Sequence, residues 1–276
     1  MSEIVAFQGE PGAYSHEASL EARPDCEVLP CGTFEGAVEA VKSEKADLAV
    51  LPVENSIYGR VADIHRLLPE SGLFVVEEVF IRIHINVLGM PGADISNAST
   101  ALSHMVLLGQ CREFIRDRGL RTLAWADTAG AAKHVAETGD RSLVALASEL
   151  AGDIYGLQVL TRHIEDADYN RTRFFVMSSE RNFERRNSEM ITAFVFRVRN
   201  IPAALYKALG GFATNRVNML KLESYMVGGS FNATQFFAEI QGHPDDANVA
   251  LALEELNFFT NSVDVLGVYP AAVSRF

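Results

Sequence analysis

"SSERNFERRNSE", residues 178–189, separates two differently patterned parts of the sequence. Glu and Arg alternate through it among Ser and Asn, and no apolar stripe of helical or strand period runs along it. It therefore reads as a linker rather than an element. The two sides of it differ in pattern. Upstream, from residue 3 to about 178, short apolar runs alternate with helix-period segments. "IVAFQG" precedes "YSHEASLEA", "CEVLPC" precedes "FEGAVEAVKSEKA", and "DLAVLPV", "LFVVEEV" and "IRIHINVLG" follow as strands. "LLGQCREFIRDRG" then reads as one helix, "LRTLAWAD" as a strand, "AGAAKHVAETG" as a helix and "SLVALAS" as a strand. Such alternation predicts an α/β architecture with mainly parallel sheets covered on both faces. Downstream the periods give strand 190–199, helix 202–213, strands 217–226 and 231–241, helix 245–259 and strand 262–269, the βαββαβ order of a ferredoxin-like domain. Pro202 is expected in the first helical turn and "GGS" (228–230) at the hairpin. The predicted organisation is an α/β unit over 1–178, a linker over 179–189 and a small domain over 190–276.

The 276 residues are 48% hydrophobic and 22% charged, ordinary for a globular chain able to bury cores of its own. The net charge of −12 repels phosphate backbones, which argues against nucleic acid and anionic membranes as partners. Any positive charge that meets an anionic ligand must then be local. Three cysteines (Cys26, Cys31, Cys111) with no CxxC pair support neither a disulfide framework nor a zinc site. The seven histidines form no HExxH, so no metal is expected. The start "MSEIVAFQG" runs straight into a strand, without the basic and apolar regions of a leader, and a cytoplasmic protein is expected.

Three strands of the α/β unit end in short polar turns expected to open helices, where free N–H groups favour anions. "FQGEPGAYS" places Gly9 and Gly12 in a turn before Tyr14 and Ser15. "LPVENSIYG" ends a strand at Val53 and puts Glu54, Asn55 and Ser56 at the next helix start, and "ADTAGAAK" does the same with Thr128. In open α/β sheets such turns line the ligand crevice. Taken singly, each of these residues is more readily a cap than a ligand. The glycines lack a dinucleotide fingerprint, no Walker sequence occurs, and Cys111 sits in a pattern that favours packing over reactivity. Gln110 beside it is expected at a helix surface.

Taken together, the motifs point further. "FQGEPGAYSHEA", "VLPVENSIYGRV", "LSHMVLLGQCREFI", "TAGAA" and "NRTRFFV", in this order and ahead of a βαββαβ domain carrying "LKLESY" and "FFAEIQGH", resemble the prephenate dehydratase family. The resemblance implies a two-lobed catalytic unit like the periplasmic binding proteins, followed by an ACT domain that senses an amino acid. It implies loss of water and carbon dioxide from prephenate, with no cofactor, to give phenylpyruvate in phenylalanine biosynthesis. Thr172 matches the family's catalytic threonine, and Asn55 and Gln110 its substrate-contacting amides. Ser15, Ser56, Thr128 and Ala129 match positions lining the crevice. Arg173 is expected to grip the pyruvyl carboxylate, and Arg171 to face solvent. Met105 stands where the family often has proline. Ala203, Ala204 and Leu205, with Glu223 and Ser224, match the effector motifs for L-phenylalanine. Here Ala203 replaces a glycine, and Tyr225 with Met226 replaces Arg-Pro. A homodimer or homotetramer is implied. Arogenate as substrate, or a two-lobed binding or amino-acid-sensing protein without catalysis, are the alternatives.

Overall fold

A computed structural model describes residues 2–226 and 233–275. It contains fifteen strands and nine α-helices among those residues. The chain forms two compact units, one of residues 1–61 with 79–174, the other of 62–78 with 175–276.

The first unit opens with β1 (Ile4–Gln8), α1 (Tyr14–Ala22), β2 (Glu27–Cys31), α2 (Phe34–Lys42) and β3 (Leu48–Asn55), then a two-residue β4 (Gly59–Arg60). β1 is paired in parallel with β2 and with β3, as alternating strands and helices require. After the short α3 (Ala62–Leu67), which belongs to the second unit, β5 (Phe74–Arg82) leads back into the first. A second, five-stranded sheet holds β6 (Asn86–Gly89), β7 (Thr100–His104), β8 (Arg121–Trp125), β9 (Leu143–Ala147) and β10 (Gln158–Thr161), in the order β10-β6-β9-β7-β8. Between its strands lie α4 (Met105–Leu108), α5 (Arg112–Asp117), α6 (Thr128–Thr138) and α7 (Glu149–Tyr155). β11 (Arg171–Ser178) then returns beside β3. The chain thus reaches the second sheet through residues 83–85 and leaves it through 162–170. Two lobes joined by two crossovers result, and the fold is α/β as expected.

Several local readings change. "IRIHINVLG" is not one strand, because it spans the first crossover between β5 and β6. The second sheet is mixed, with β6 antiparallel to both β10 and β9. The expected helix 107–119 is two short helices broken at Gly109–Cys111. Asp166 makes the break by accepting from the N–H groups of Arg112 and Glu113 with its carboxylate, which caps α5. β7, α7 and β10 have no counterpart among the elements expected from the sequence.

The second unit carries β12 (Met190–Arg197), α8 (Ala204–Thr214), β13 (Met219–Met226), β14 (Ala233–Gln241), α9 (Ala247–Phe259) and β15 (Ser262–Pro270). Their order is β13-β14-β12-β15 with antiparallel β12–β14, β12–β15 and β13–β14 pairs, the ferredoxin-like arrangement. Phe194, Phe196, Ala208, Phe212, Phe236, Ala252 and Leu256 form its core, so both helices cover one face of the sheet. Pro202 lies before the first turn rather than in it. Ala203 is the N-cap of α8 and takes a left-handed conformation (φ 62°). The expected "GGS" hairpin turn lies outside the described residues. At the C-terminal end Arg275 bridges two buried carboxylates, Glu78 at 2.5 Å and Glu239 at 2.7 Å.

Candidate active site

β3 and β11 are neighbours, and alternation decides what each offers. Side chains at successive positions of a strand point to opposite faces. Asn55 and Thr172 share one face, where Asn55 Nδ2 lies 3.0 Å from Thr172 Oγ1. Glu54 and Arg173 share the other, with Arg173 Nη1 3.7 Å from Glu54 and its guanidinium 5.9 Å over the Phe80 ring. Arg173 is only 4% exposed. Its expected role beside Thr172, gripping a substrate carboxylate, is not what this geometry favours, because the strand's period of two turns it away. Arg171 is exposed, as read from the sequence.

Asn55 is not at the expected helix start, because β3 runs through it and the next helix begins only at Ala62. Its Oδ1 instead accepts from the backbone N–H groups of Ile57 and Tyr58, both at 3.0 Å, and this turn holds the side chain rigidly. Besides Thr172, its Nδ2 faces Asn170 Oδ1 at 2.9 Å and the Arg171 carbonyl at 3.2 Å. Asn170 Nδ2 donates to Gln110 Oε1 at 3.0 Å. Three of the expected residues, Thr172, Asn55 and Gln110, are therefore joined in one chain of hydrogen bonds through Asn170, which is not among the expected site residues. Asn170 shows no signal of its own there, since a polar residue at a strand mouth is commonplace.

Gln110 is buried (5% exposed) rather than on a helix surface. The break between α4 and α5 turns it inward, and its carbonyl accepts from Asp166 N–H at 2.7 Å. Ser56 works within the protein: its hydroxyl donates to the Tyr169 carbonyl and accepts from Arg171 N–H, stitching the loop to β11.

Ser15 and Thr128 come from the starts of α1 and α6. Ala13, just before α1, and Ala129 of α6 pack into one apolar cluster, and Lys133 of α6 reaches Glu10 in the turn before α1 at 3.1 Å. Gly12, at φ 91°, lets the turn before α1 pack against α7, where a Cβ would come within 2.6 Å of Ala151 Cα. The hydroxyls of Ser15 and Thr128 and the Nε2 of Gln110 make no hydrogen bond among the described residues. The α6 terminus is not open to an anion as expected, because Asp127 already caps it by accepting from Gly130 N–H at 2.7 Å. Tyr14 at the start of α1 donates its hydroxyl to the His84 carbonyl at 2.8 Å, and burial raises its phenol well above the ordinary range. Cys111 is fully buried and its thiol is pushed up by burial, the state of a packed core residue.

A family model for prephenate dehydratase matches residues 5–182. The chain belongs to the prephenate dehydratase family. The activity that goes with this membership is a dehydratase's, a lyase reaction. The chain is 48% identical over 273 residues to a bifunctional N-acyl-homoserine lactone acylase/prephenate dehydratase of Komagataeibacter europaeus, covering 99% of this chain and 97% of that one. It is 35% identical over 285 residues to arogenate dehydratase/prephenate dehydratase 1 of Arabidopsis thaliana, covering 98% and 73%. The solved prephenate dehydratase of Arthrobacter aurescens in complex with L-Phe superposes with a TM-score of 0.89 at 26% identity, over 98% of this chain and 90% of that one. Met105, where this dehydratase family often has proline, is the first residue of α4, a position that proline also accepts, so the turn stays helical. No helix among the described residues is long and apolar enough to cross a membrane.

Proposed function

We propose that this protein converts prephenate to phenylpyruvate through Thr172, without a cofactor. The carrying observation is the contact between Asn55 Nδ2 and Thr172 Oγ1. Since that oxygen accepts from Asn55, its own hydrogen is left to donate toward a ligand. The ring carboxylate leaves as carbon dioxide, its bonding electrons enter the ring, and the C4–oxygen bond breaks as the ring becomes aromatic. Negative charge then gathers on the departing oxygen, which leaves as water after taking up a proton from solvent. A hydrogen bond that strengthens at that moment lowers the barrier without Thr172 losing its proton.

Gln110, Ser15 and Thr128 supply the remaining neutral donors, with Ala129 and Ser56 shaping the walls. Asn55 acts on Thr172 more than on substrate, because its amide is committed on both sides. Arg173 supports β3 and β11 rather than holding the pyruvyl group. Formation of phenylpyruvate from prephenate, followed by its ultraviolet absorbance, tests the reading. No turnover would leave a binding or sensing protein. Arogenate is the alternative substrate, and turnover of both acids side by side decides between them. The likeness to the bifunctional acylase favours a second reading, amide hydrolysis of acyl-homoserine lactones, which release of the free lactone would reveal.

In this reading residues 1–178 are catalytic, 179–189 link, and 190–276 form an ACT domain that binds L-phenylalanine near Ala203, Ala204, Leu205, Glu223 and Ser224. The relative solved with L-Phe supports that effector. β13 is an edge strand of its sheet, and pairing of such edges supports at least a dimer. Light scattering decides this, a mass near the 30.2 kDa monomer being the contrary result. The three free cysteines fit a reducing cytoplasm.

A further inference from the structure

Asn170 is fully buried, and both ends of its amide are used. Its carbonyl also accepts from Ile83 N–H at 3.0 Å, so its backbone is fixed where the two crossovers meet. The direction of the hydrogen bonds around it can be read from one immovable end. Two backbone N–H groups point at Asn55, and an N–H only donates, so the Asn55 atom they meet is oxygen. Its other amide atom is then nitrogen. The Asn170 atom facing that nitrogen must accept, which leaves the Asn170 nitrogen to donate to Gln110. Gln110 must turn its oxygen inward. Its Nε2, which has no partner among the described residues, is left pointing away as a donor. A glutamine amide by itself can turn either way at little steric cost, since its oxygen and nitrogen are nearly alike in size.

We infer that Asn170 is a positioning residue that locks the Gln110 amide with its N–H group toward the substrate. The inference rests on the dehydratase reading of the same site, where a dianionic substrate and a departing hydroxide both need donors. An acceptor at this point would repel them.

Asn170→Asp tests it. The shape is kept, but a carboxylate can accept from Asn55 and cannot donate to Gln110. Gln110 then turns its Nε2 inward and shows oxygen to the substrate, and kcat falls by ~10²-fold, as for loss of one such donor. A carboxyl in so buried a place has a raised pKa. Once protonated, its O–H donates to Gln110 and restores the native direction. The ratio of variant to parent kcat therefore rises as pH falls. A mere packing defect gives a ratio independent of pH, and that result, or a kcat within about 3-fold of the parent throughout, would overturn the inference.

Should Asn170→Asp not fold, Gln110→Glu decides. Asn170 still donates to its inner oxygen while the outer atom becomes an acceptor, so kcat falls as far with the melting temperature retained. Full activity in that variant overturns the inference. The Gln110 side-chain amide resonance, assigned by its loss in Gln110→Ala, gives a readout apart from turnover. It titrates in Asn170→Asp and stays constant in the parent. An inactive parent would sink the dehydratase reading, while the titrating or constant amide would still decide the role of Asn170.

Discussion

Glu17 gives a measurable consequence of how the start of α1 is packed. Burial, with a smaller contribution from the Glu149 charge, raises its carboxyl from 4.5 to about 7. The folded protein therefore holds a proton on Glu17 between about pH 4.5 and 7 that the unfolded chain has released. Over that window the folded state binds more protons, so stability falls as pH rises, and it levels off above the folded value. At 1.36 kcal/mol for each unit, a rise of about 2.5 units costs on the order of 3 kcal/mol at pH 8. Glu17→Gln keeps the shape and removes the charge. Urea unfolding of parent and variant at pH 5, 6, 7 and 8 should show a difference that starts under about 1 kcal/mol at pH 5 and widens steadily, the variant gaining on the order of 3 kcal/mol by pH 8. A constant difference across the range would mean that Glu17 is hydrated in the folded protein, and the account of its burial would fail.

Thr172→Ala should lower kcat by ~10²-fold with KM little changed, because the lost hydrogen bond acts on the departing oxygen, and Thr172→Ser should keep most of the rate. Turnover of the alanine variant within a few-fold of the parent would remove Thr172 from the chemistry. Ala203→Gly should stabilise the second unit by about 0.5–1 kcal/mol in a denaturant melt, since left-handed backbone costs an L-residue about 1–2 kcal/mol and glycine's freer unfolded chain returns part of that. It should also strengthen inhibition by phenylalanine, and an unchanged titration would separate the two effects. Arg173→Lys should cost about 1 kcal/mol of stability with KM for prephenate within about 2-fold of the parent. A raised KM at full stability would return this arginine to the substrate.

The α/β character of the chain up to about residue 178 and the βαββαβ order beyond it were legible because each rests on local periodicity, which a sequence carries directly. Thr172, Asn55 and Gln110 could be singled out as a set through the order of motifs. Their working relation could not. That Thr172 and Arg173 look to opposite faces follows from strand alternation, but which face meets Asn55 depends on β11 lying beside β3, more than a hundred residues away in sequence. Gln110 turns inward only because Asp166, from the returning crossover, caps α5 and breaks a helix whose own residues would have continued it. Asn170 acquires its role wholly from the two crossovers that bury it between Asn55 and Gln110. Hydrogen-bond direction is a property of neighbours in space, and no spacing along the chain records it.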